Sequence, residues 1–576
     1  MRPTLLALGL ALGLGGTAFA HAATTTPTQP PLTALTKDSG TPMPAAQKRV
    51  HFDHAALHIT VQPATQSIAA SATLTFSATA ATDVLLLDLD RNLPISAVTV
   101  DGKPLAASDW SNPDGRLKIK LPHALAAGDK VTTTITYGGK PHVAKRAPWD
   151  GGFVWSHTKD GQPWVGSAVE GEGCDLFWPC IDQPDGKPDL VDLYVTVPKP
   201  LVAPGNGVLI GVTDDGNQRT YHWRAKHPTT YAVSINVGPY KELHGEYHSR
   251  FGNTIPLYYW YLPGEDTQAK ALFAEFPRML RFFEAKIGPY PWGDEKMGVV
   301  ETPYLGMEHQ TINAYGNHYA KDGSGFDWLM QHEFSHEWFG NQMTNANWDD
   351  MWLHEGFATL MQPLYARYLD GDAEYYGWLH HLRFLIRNHA PVVSGTSKTE
   401  EQVYDPSGPG QDIYNKGALM LQTLHHLIGD QAFYDSIRLL VYGRPDPKPG
   451  NFVPQYRTTA DYMRIVDQVT GKKLDWFFKV YLYQAALPKL DVQRHGDTLD
   501  LRWQVPHHLP FPMPVDVQVG DTLHTVQMTD GHGSLAAPAD ALVTIDPHSV
   551  LLRDEPRITE FLQWRDQQRA KRKTKP

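Results

Sequence analysis

The chain has 576 residues and a formal net charge of −11, with 41% apolar and 20% charged residues. This length exceeds what one hydrophobic core supports, so about two to four domains are expected. The negative charge argues against nucleic acid or an anionic membrane surface as a partner, and the composition is that of a globular protein.

Residues 1–22 have the pattern of a signal peptide. Arg2 precedes the apolar stretch LLALGLALGLGG, and small residues would allow cleavage after Ala20 or Ala22. The Thr- and Pro-rich residues 23–45 predict a flexible linker. No later apolar run reaches the length of a membrane span. The sequence therefore predicts export to the periplasm or the medium.

Cys174 and Cys180 are the two cysteines of the chain. Two thiols cannot form a disulfide scaffold for a chain of this size, and they cannot form a four-thiolate metal site. An oxidising compartment would allow them to pair, but their spacing leaves the pairing open.

Residues 46–245 carry strand patterns. Five segments alternate apolar and polar residues and are separated by Gly, Pro, Asp and Asn: ALHITVQ, SATLTFSAT, LKIKL, KVTTTITYGG and DLYVTV. This alternation predicts an antiparallel β-sheet domain with one solvated face.

From about residue 246 to 486 the apolar residues recur at helical spacing, for example in DTQAKALFAEFPRMLRFFEAKIG and YNKGALMLQTLHHLIGDQAFYDSIRLLV. Strand alternation returns over residues 487–560, in LDLRWQV and VDVQVG. Residues 561–576 form a short basic tail, for which a solvated, frayed terminus is expected. The predicted plan is a β domain, a mostly helical domain and a small β domain.

The stretch HEFSH places His332 and His336 four residues apart with Glu333 between them. On a helix this spacing turns both imidazoles to the same side, where they can hold one zinc ion. An all-histidine variant of this motif would need Gly and His at the positions occupied by Phe339 and Gln342, so that alternative fails. A third ligand must come from elsewhere.

Glu355 supplies that ligand in the segment WDDMWLHEGFATL, nineteen residues after His336. A Gly- and Asn-rich turn can bring this second helix back beside the first, and Asp349 or Asp350 could cap it. An unpaired carboxylate among large apolar residues would be costly, and a metal ion would explain its burial. We expect one Zn²⁺ per chain, with Glu333 as the general base for its bound water.

HEFSHEWFGN followed by WLHEGFA resembles the zinc signature of the aminopeptidase N-type gluzincin family, which also includes leukotriene hydrolase. His354 stands where the family usually has Asn. The resemblance implies a saddle-like N-terminal antiparallel β-sheet domain, a thermolysin-like, mostly α catalytic domain and a small C-terminal β-sandwich-like domain. It also implies a short, bacterial-type member without the large helical C-terminal domain of longer relatives.

YLGMEHQT resembles the Gly-x-Met-Glu-Asn exopeptidase motif of this family. The resemblance implies that Gly306, Met307 and Glu308 bind the substrate, with the Glu308 carboxylate holding its free α-amine. A carboxylate at a fixed distance from the metal suits an ammonium group. His309 replaces the usual Asn of the motif.

Two further segments extend the resemblance. DIYNKGALML is similar to a Tyr-x-Lys-Gly-Ala segment, which makes Tyr414 the phenol that stabilises the tetrahedral oxyanion. EGEGCDLFWPCIDQPDGKPD resembles a Pro-Cys-x-Asp-x-Pro stretch of the N-terminal domain. Nine residues before Pro179, Glu170 matches a second amine-binding residue, and Glu172 is a near neighbour.

Together these residues predict a zinc-dependent aminopeptidase that acts on peptides with a free N-terminus. A related hydrolase with epoxide-opening activity and a non-catalytic binding protein on the same fold are the alternatives. A non-catalytic binding protein would be expected to lack at least one of the metal or catalytic residues. All five are present: His332, Glu333, His336, Glu355 and Tyr414.

Overall fold

The computed structural model describes residues 29–320, 325–450 and 452–573. The predicted signal peptide, residues 1–22, lies outside these ranges. Strands in the N-terminal region follow the predicted alternation, because every second side chain of Ser67–Ala78 is buried. The apolar faces of these strands form one hydrophobic core, and a second core lies among the helices further along the chain.

The N-terminal strands, in chain order, are β1 (Val50–Gln62), β2 (Ser67–Ala78), β3 (Thr82–Asp88), β4 (Ile95–Val100), β5 (Lys103–Pro104), β6 (Trp110–Ser111), β7 (Arg116–Leu125), β8 (Lys130–Gly139), β9 (Gly152–His157), β10 (Pro163–Ala168), β11 (Leu190–Pro198), β12 (Val208–Asp215), β13 (Gln218–Lys226) and β14 (Asn236–Val237). Eight of them form one sheet in the order β12-β13-β11-β1-β2-β8-β4-β5. The pairs are antiparallel as predicted, except that β1 and β11 run parallel. Smaller sheets have the orders β3-β7-β6 and β14-β10-β9.

Residues 32–45 differ from the predicted flexible linker, because they pack against the body of the protein. Thr36 and Ser39 are 0% and 2% exposed. The Ser39 amide donates to the carbonyl of Gly171 at 2.9 Å. Composition indicates a linker because the segment is poor in large apolar residues, but hydrogen bonds to distant loops hold it in place.

Cys174 and Cys180 form a disulfide bond, which answers the question that their spacing left open. Both are fully buried in the N-terminal core. The Cys180 amide and carbonyl pair with Asp88 at the end of β3, so this loop is attached to the sheet.

The strands of the following region are β15 (Lys241–His248), β16 (Thr254–Tyr261), β17 (Met297–Glu301), β18 (Gly306–Met307), β19 (Asn313–Tyr315), β20 (Met343–Asn345) and β21 (Gln455–Arg457). Its helices are α1 (Asp266–Phe273), α2 (Phe276–Lys286), α3 (Trp328–Ser335), α4 (Trp352–Asp370), α5 (Asp372–Arg383), α6 (Glu400–Tyr404), α7 (Asn415–Tyr442), α8 (Thr459–Thr470) and α9 (Asp475–Tyr481). Helix α7 is broken at Gly429, which has a φ of 80°.

A five-stranded sheet in the order β15-β16-β17-β19-β18 accompanies these helices. The helical periodicity does not reveal it, because strands such as β17 are buried along their whole length and show no alternation. The predicted domain boundary at residue 245 falls inside β15, which pairs with β16 and so belongs to this sheet.

The C-terminal strands are β22 (Lys489–His495), β23 (Thr498–Gln504), β24 (Val515–Val519), β25 (Thr522–Val526), β26 (His532–Ala536) and β27 (Val543–Ile545). They form two three-stranded sheets, β22-β23-β26 and β25-β24-β27. Residues 561–573 of the predicted frayed tail are instead part of helix α10 (Pro556–Lys573), whose Phe561 contacts the Phe384 ring edge-on. Among the described helices, none is long and apolar enough to cross a membrane.

Candidate metal centre

Helix α3 places the two predicted histidine ligands side by side. The Asp327 side chain caps its N-terminus by accepting a hydrogen bond from the Met330 amide. His332 lies in the last turn of α3, and His336 follows directly after the helix. Their Nε2 atoms are 3.2 Å apart, so both rings face one point.

Glu355 lies in the first turn of α4, which packs against α3 and α7. Its Oε2 atom is 3.4 Å from His332 Nε2 and 3.6 Å from His336 Nε2. A Cβ atom added to Gly356 would lie 3.2 Å from backbone atoms of Gly417, so α4 and α7 approach closely beside Glu355. Glycine at both positions lets the helices bring their site residues together.

Neither Asp349 nor Asp350 caps α4, in contrast to the sequence expectation. Asp349 accepts hydrogen bonds from the backbone amides of Ser394 and Gly395, and Asp350 accepts one from the Thr459 amide. These aspartates therefore fix α4 to distant segments.

The three donor atoms fit a zinc ion. A tetrahedral zinc with bonds of about 2.0–2.1 Å places its ligands about 3.3–3.4 Å apart, close to the separations observed here. The side chains of His332, His336 and Glu355 are 14%, 1% and 5% exposed. Glu355 Oε2 is buried and finds no hydrogen-bond donor among the described residues. A cation at this point would satisfy it.

The surroundings of His336 also favour metal binding. Its Nδ1 atom is 2.9 Å from the carbonyl oxygen of Phe339 and can donate only if it carries the proton. That hydrogen bond leaves Nε2 unprotonated for a metal. His354 is buried nearby and does not join the ligand set, since its Nε2 atom accepts from the Asn345 amide at 3.0 Å.

Glu333 lies beside the three ligands and packs against β18. A Cβ atom added to Gly306 would lie 2.4 Å from Glu333 Oε1, so only glycine leaves room for this carboxylate. A carboxylate oxygen of Glu308, one of Glu333 and a ring nitrogen of His336 lie within 4.8 Å of one another. Met307 is buried at the same sheet edge, 4% exposed.

Glu308 and Glu170 form an acidic pair next to this centre. The Tyr231 hydroxyl donates to Glu308 Oε1 at 2.7 Å. Glu170 Oε1 is buried and has no partner among the described residues, and Glu308 is the charged group that acts most strongly on it. Glu172 instead accepts a hydrogen bond from the Gly151 amide. The structure thus places Glu170, rather than Glu172, toward Glu308.

Burial and mutual repulsion control the pKa values of these carboxyl groups. Burial raises the pKa of Glu333 well above its usual range, and the charges of Glu308 and Glu355 raise it further. Burial followed by the charge of Glu308 does the same to the pKa of Glu170. Burial raises the pKa of Glu355 to about 7, against the effect of nearby His336. A bound cation would favour the ionised carboxylates.

The pKa of the His332 imidazole shifts the other way, because burial lowers it to about 4. Neutral imidazole is the form that coordinates zinc, so burial prepares this ligand for the metal.

Tyr414 stands at the start of α7, beside the metal ligands. Its ring stacks on His332 with centroids 6.2 Å apart. Its hydroxyl is 3.1 Å from that of Tyr404. Burial raises the pKa of Tyr414 well above its usual range, and the negative charge of nearby Glu355 raises it further. The phenol therefore stays protonated and can donate.

Sequence reasoning missed three residues that support the site: Tyr231, Asn341 and Tyr404. Tyr231 and Asn341 fix Glu308 through its side chain and its backbone carbonyl, the latter at 3.0 Å. No local spacing marks Tyr231 or Tyr404. Asn341 lies within the zinc-signature stretch HEFSHEWFGN, so its place in that motif could have marked it as a site residue. His309 is buried and neither ring nitrogen has a partner among the described residues.

Comparison with known proteins identifies the family. A profile of the Peptidase M1 N-terminal domain matches residues 49–231, and a profile of the Peptidase family M1 domain matches residues 275–481. Leucine aminopeptidase 2 of Aspergillus terreus is 25% identical over 475 residues, covering 75% of this chain and 72% of that protein. Leukotriene A-4 hydrolase of Xenopus laevis is 25% identical over 346 residues, 57% of this chain.

This chain spans only about half, 52%, of the length of that leukotriene hydrolase. Solved structures match more completely. A two-domain M1 zinc metallopeptidase mutant bound to L-tryptophan superposes with a TM-score of 0.64 at 25% identity, over 78% of this chain and 96% of that one. An M1 zinc metallopeptidase mutant from Deinococcus radiodurans with a Tyr-Ser-Ala substrate has a TM-score of 0.63, 25% identity and coverages of 78% and 98%. The chain, with its His-His-Glu zinc ligand set, belongs to the M1 family of peptidases.

Proposed function

We propose that this protein is a zinc-dependent aminopeptidase that removes the N-terminal residue from peptides. The observation that carries the proposal is the acidic pair beside the metal ligands. A carboxylate oxygen of Glu308 lies within 4.8 Å of Glu333 and His336. Glu170, on which Glu308 is the charge that acts most strongly, has a buried Oε1 without a partner among the described residues. A hydrolytic centre needs the metal and a base. An additional pair of carboxylates is suited to an α-ammonium group.

A zinc ion held by His332, His336 and Glu355 supplies Lewis acidity and lowers the pKa of a water molecule. Glu333 accepts the proton of the attacking water, for which its place next to the ligands is suitable. The Tyr414 hydroxyl donates a hydrogen bond to the oxyanion of the tetrahedral intermediate. Glu333 then returns the proton to the leaving amine.

The acidic pair determines which bond is cut. Glu308 and Glu170, together called the amine clamp, hold the substrate's α-ammonium group at a fixed distance from the metal. One residue therefore fits between the amine clamp and the scissile bond. Gly306 leaves room for Glu333, while Met307 forms part of the buried edge next to Glu308. We assign both residues to the wall of the substrate site.

An activity known for one relative and a peptide bound to another support this proposal. Leucine aminopeptidase 2 is an aminopeptidase by name, and the Deinococcus radiodurans enzyme was crystallised with a tripeptide. Both are similar to this chain at 25% identity.

We also propose that the protein is exported, with residues 1–22 as its signal peptide. The apolar stretch after Arg2 and the disulfide between Cys174 and Cys180 support this, since disulfides persist in oxidising compartments.

His336→Ala should abolish zinc binding, because it removes one of three ligands and leaves a buried carboxylate unpaired. Metal content per chain, measured by mass spectrometry after dialysis, checks this. The control is His354→Asn, since His354 is buried next to His336 but is not a ligand, and this variant should keep one zinc ion. Equal metal content in both variants would remove His336 from the ligand set.

Glu333→Gln should keep the zinc ion and lower kcat by about 10³-fold, because the amide has nearly the same shape but cannot accept the water proton. Steady-state kinetics on aminoacyl anilides, with metal content measured on the same sample, provide the test. A kcat within about twofold of the parent enzyme would exclude Glu333 as the general base.

Glu308→Gln should raise KM for substrates with a free α-amine by at least about tenfold, because it removes one charge of the ammonium clamp. The comparison is the same peptide with and without an N-acetyl group, on parent and variant. The parent enzyme should reject the acetylated peptide. Equal cleavage of both peptides by the parent enzyme would refute the exopeptidase assignment.

Export is tested by expressing the full chain and a variant lacking residues 2–22 in a Gram-negative host. The full chain should accumulate in the periplasm with a new N-terminus after Ala20 or Ala22, and the truncated chain should stay in the cytoplasm. Cytoplasmic, uncleaved full-length protein would contradict the proposal.

A further inference from the structure

Residues Asp38–Thr41, here called the strap, lie in the segment for which the sequence predicts a linker. We infer that the strap is a positioning element of the active site that holds the amine-binding Glu170 in register with the metal centre. This inference rests on the proposed aminopeptidase function. The observations that support it are the contacts that Asp38, Ser39 and Gly40 make with three separate segments next to the site.

The first contact is with the loop that carries Glu170. The Ser39 amide donates to the carbonyl oxygen of Gly171 at 2.9 Å, directly next to Glu170 in the chain. The Ser39 hydroxyl donates to Asp182 Oδ1 at 3.1 Å, and Ser39 is 2% exposed. This buried hydrogen bond fixes the position of the Glu170 loop relative to the strap, because leaving the Ser39 amide or the Gly171 carbonyl unpaired would cost free energy.

The second contact is with helix α6. The Glu400 amide donates to the Ser39 carbonyl at 3.1 Å, and the Glu401 amide donates to Asp38 Oδ1 at 2.9 Å. These are N-terminal amides of α6 that have no partner within the helix. The helix ends at Tyr404, whose hydroxyl is 3.1 Å from that of Tyr414.

The third contact is with the entrance to α4. Gly40 has a φ of 82°, and a Cβ atom on it would lie 2.1 Å from Cδ1 of the Trp348 indole. The Trp348 side chain is 2% exposed, and its ring lies 6.4 Å from that of Tyr231, which donates to Glu308. Helix α4 begins at Trp352, four residues after Trp348, and contains the metal ligand Glu355 in its first turn.

Strap residues therefore join Glu170 from the N-terminal region to segments next to Glu308 and Tyr414. The clamp needs two carboxylates at a fixed separation, and they come from positions far apart in the chain. Weakening the strap should let the Glu170 loop move while the metal ligands stay in place. Loss of ammonium binding that is equal in the ground and transition states raises KM and leaves kcat unchanged.

The test is Gly40→Ala, which forces a methyl group against Trp348. KM for an aminoacyl anilide should rise about tenfold, kcat should change by less than about twofold, and the zinc content should stay at that of the parent. Gly102→Ala is the matched control, because Gly102 also has a positive φ, 73°, but no atom lies within 4 Å of an added Cβ. It should keep the parent KM.

A milder pair of variants covers the case in which Gly40→Ala does not fold. Asp38→Ala removes the acceptor of the Glu401 amide and should raise KM about threefold. Lys37→Ala removes an ion pair with Glu401 whose side chains are 59% and 55% exposed, so it should have no effect.

The outcomes separate the two proposals. An inactive parent enzyme would overturn the aminopeptidase function itself. An active parent with unchanged KM in both Gly40→Ala and Asp38→Ala would overturn the strap inference alone. A fall in kcat with loss of zinc in a folded variant would also overturn it, since the strap would then support the metal centre rather than the clamp.

Discussion

The central electrostatic feature of the structure is a group of four buried carboxylates in one small region. They belong to Glu170, Glu308, Glu333 and Glu355. Burial raises the pKa of both Glu170 and Glu333, and the charges of the nearby Glu308 and Glu355 raise the pKa of both further. Burial without a compensating cation is unfavourable. The fold carries this cost at its metal centre. Binding of zinc offsets it, and the ammonium group of the proposed peptide substrate would offset it further.

Helix packing and domain packing contribute differently to this arrangement. The zinc ligands come from α3 and α4, which are adjacent in the chain and in space. The close approach of Gly356 and Gly417 brings α7 and Tyr414 alongside. Glu170 arrives from the N-terminal region, so its distance to Glu308 depends on contacts between segments that are far apart in sequence. The metal site is thus local, whereas the proposed amine clamp of Glu170 and Glu308 is assembled from residues far apart in the sequence.

This difference explains what the sequence could predict. His332, Glu333 and His336 follow from the period of one helix, and Glu355 follows from the cost of burying a carboxylate among apolar residues. Glu308 and Tyr414 required a resemblance to known motifs. The sheet around β17, the contacts of Tyr231 and Tyr404, and the packing of residues 32–45 were not predictable, since each depends on tertiary partners that leave no periodic pattern.

The same division has a consequence for how such a site can change. Under the proposed mechanism, a substitution near Glu170 or Glu308 shifts the binding of the ammonium in the ground and transition states alike, so it alters KM without disturbing the proton transfers assigned to Glu333. A substitution among the zinc ligands removes the chemistry for every substrate. Glu170 lies in a loop that the strap contacts rather than in a helix, so under the proposed function small packing changes there would adjust substrate selection. The metal centre keeps its geometry, since α3, α4 and α7 determine it independently.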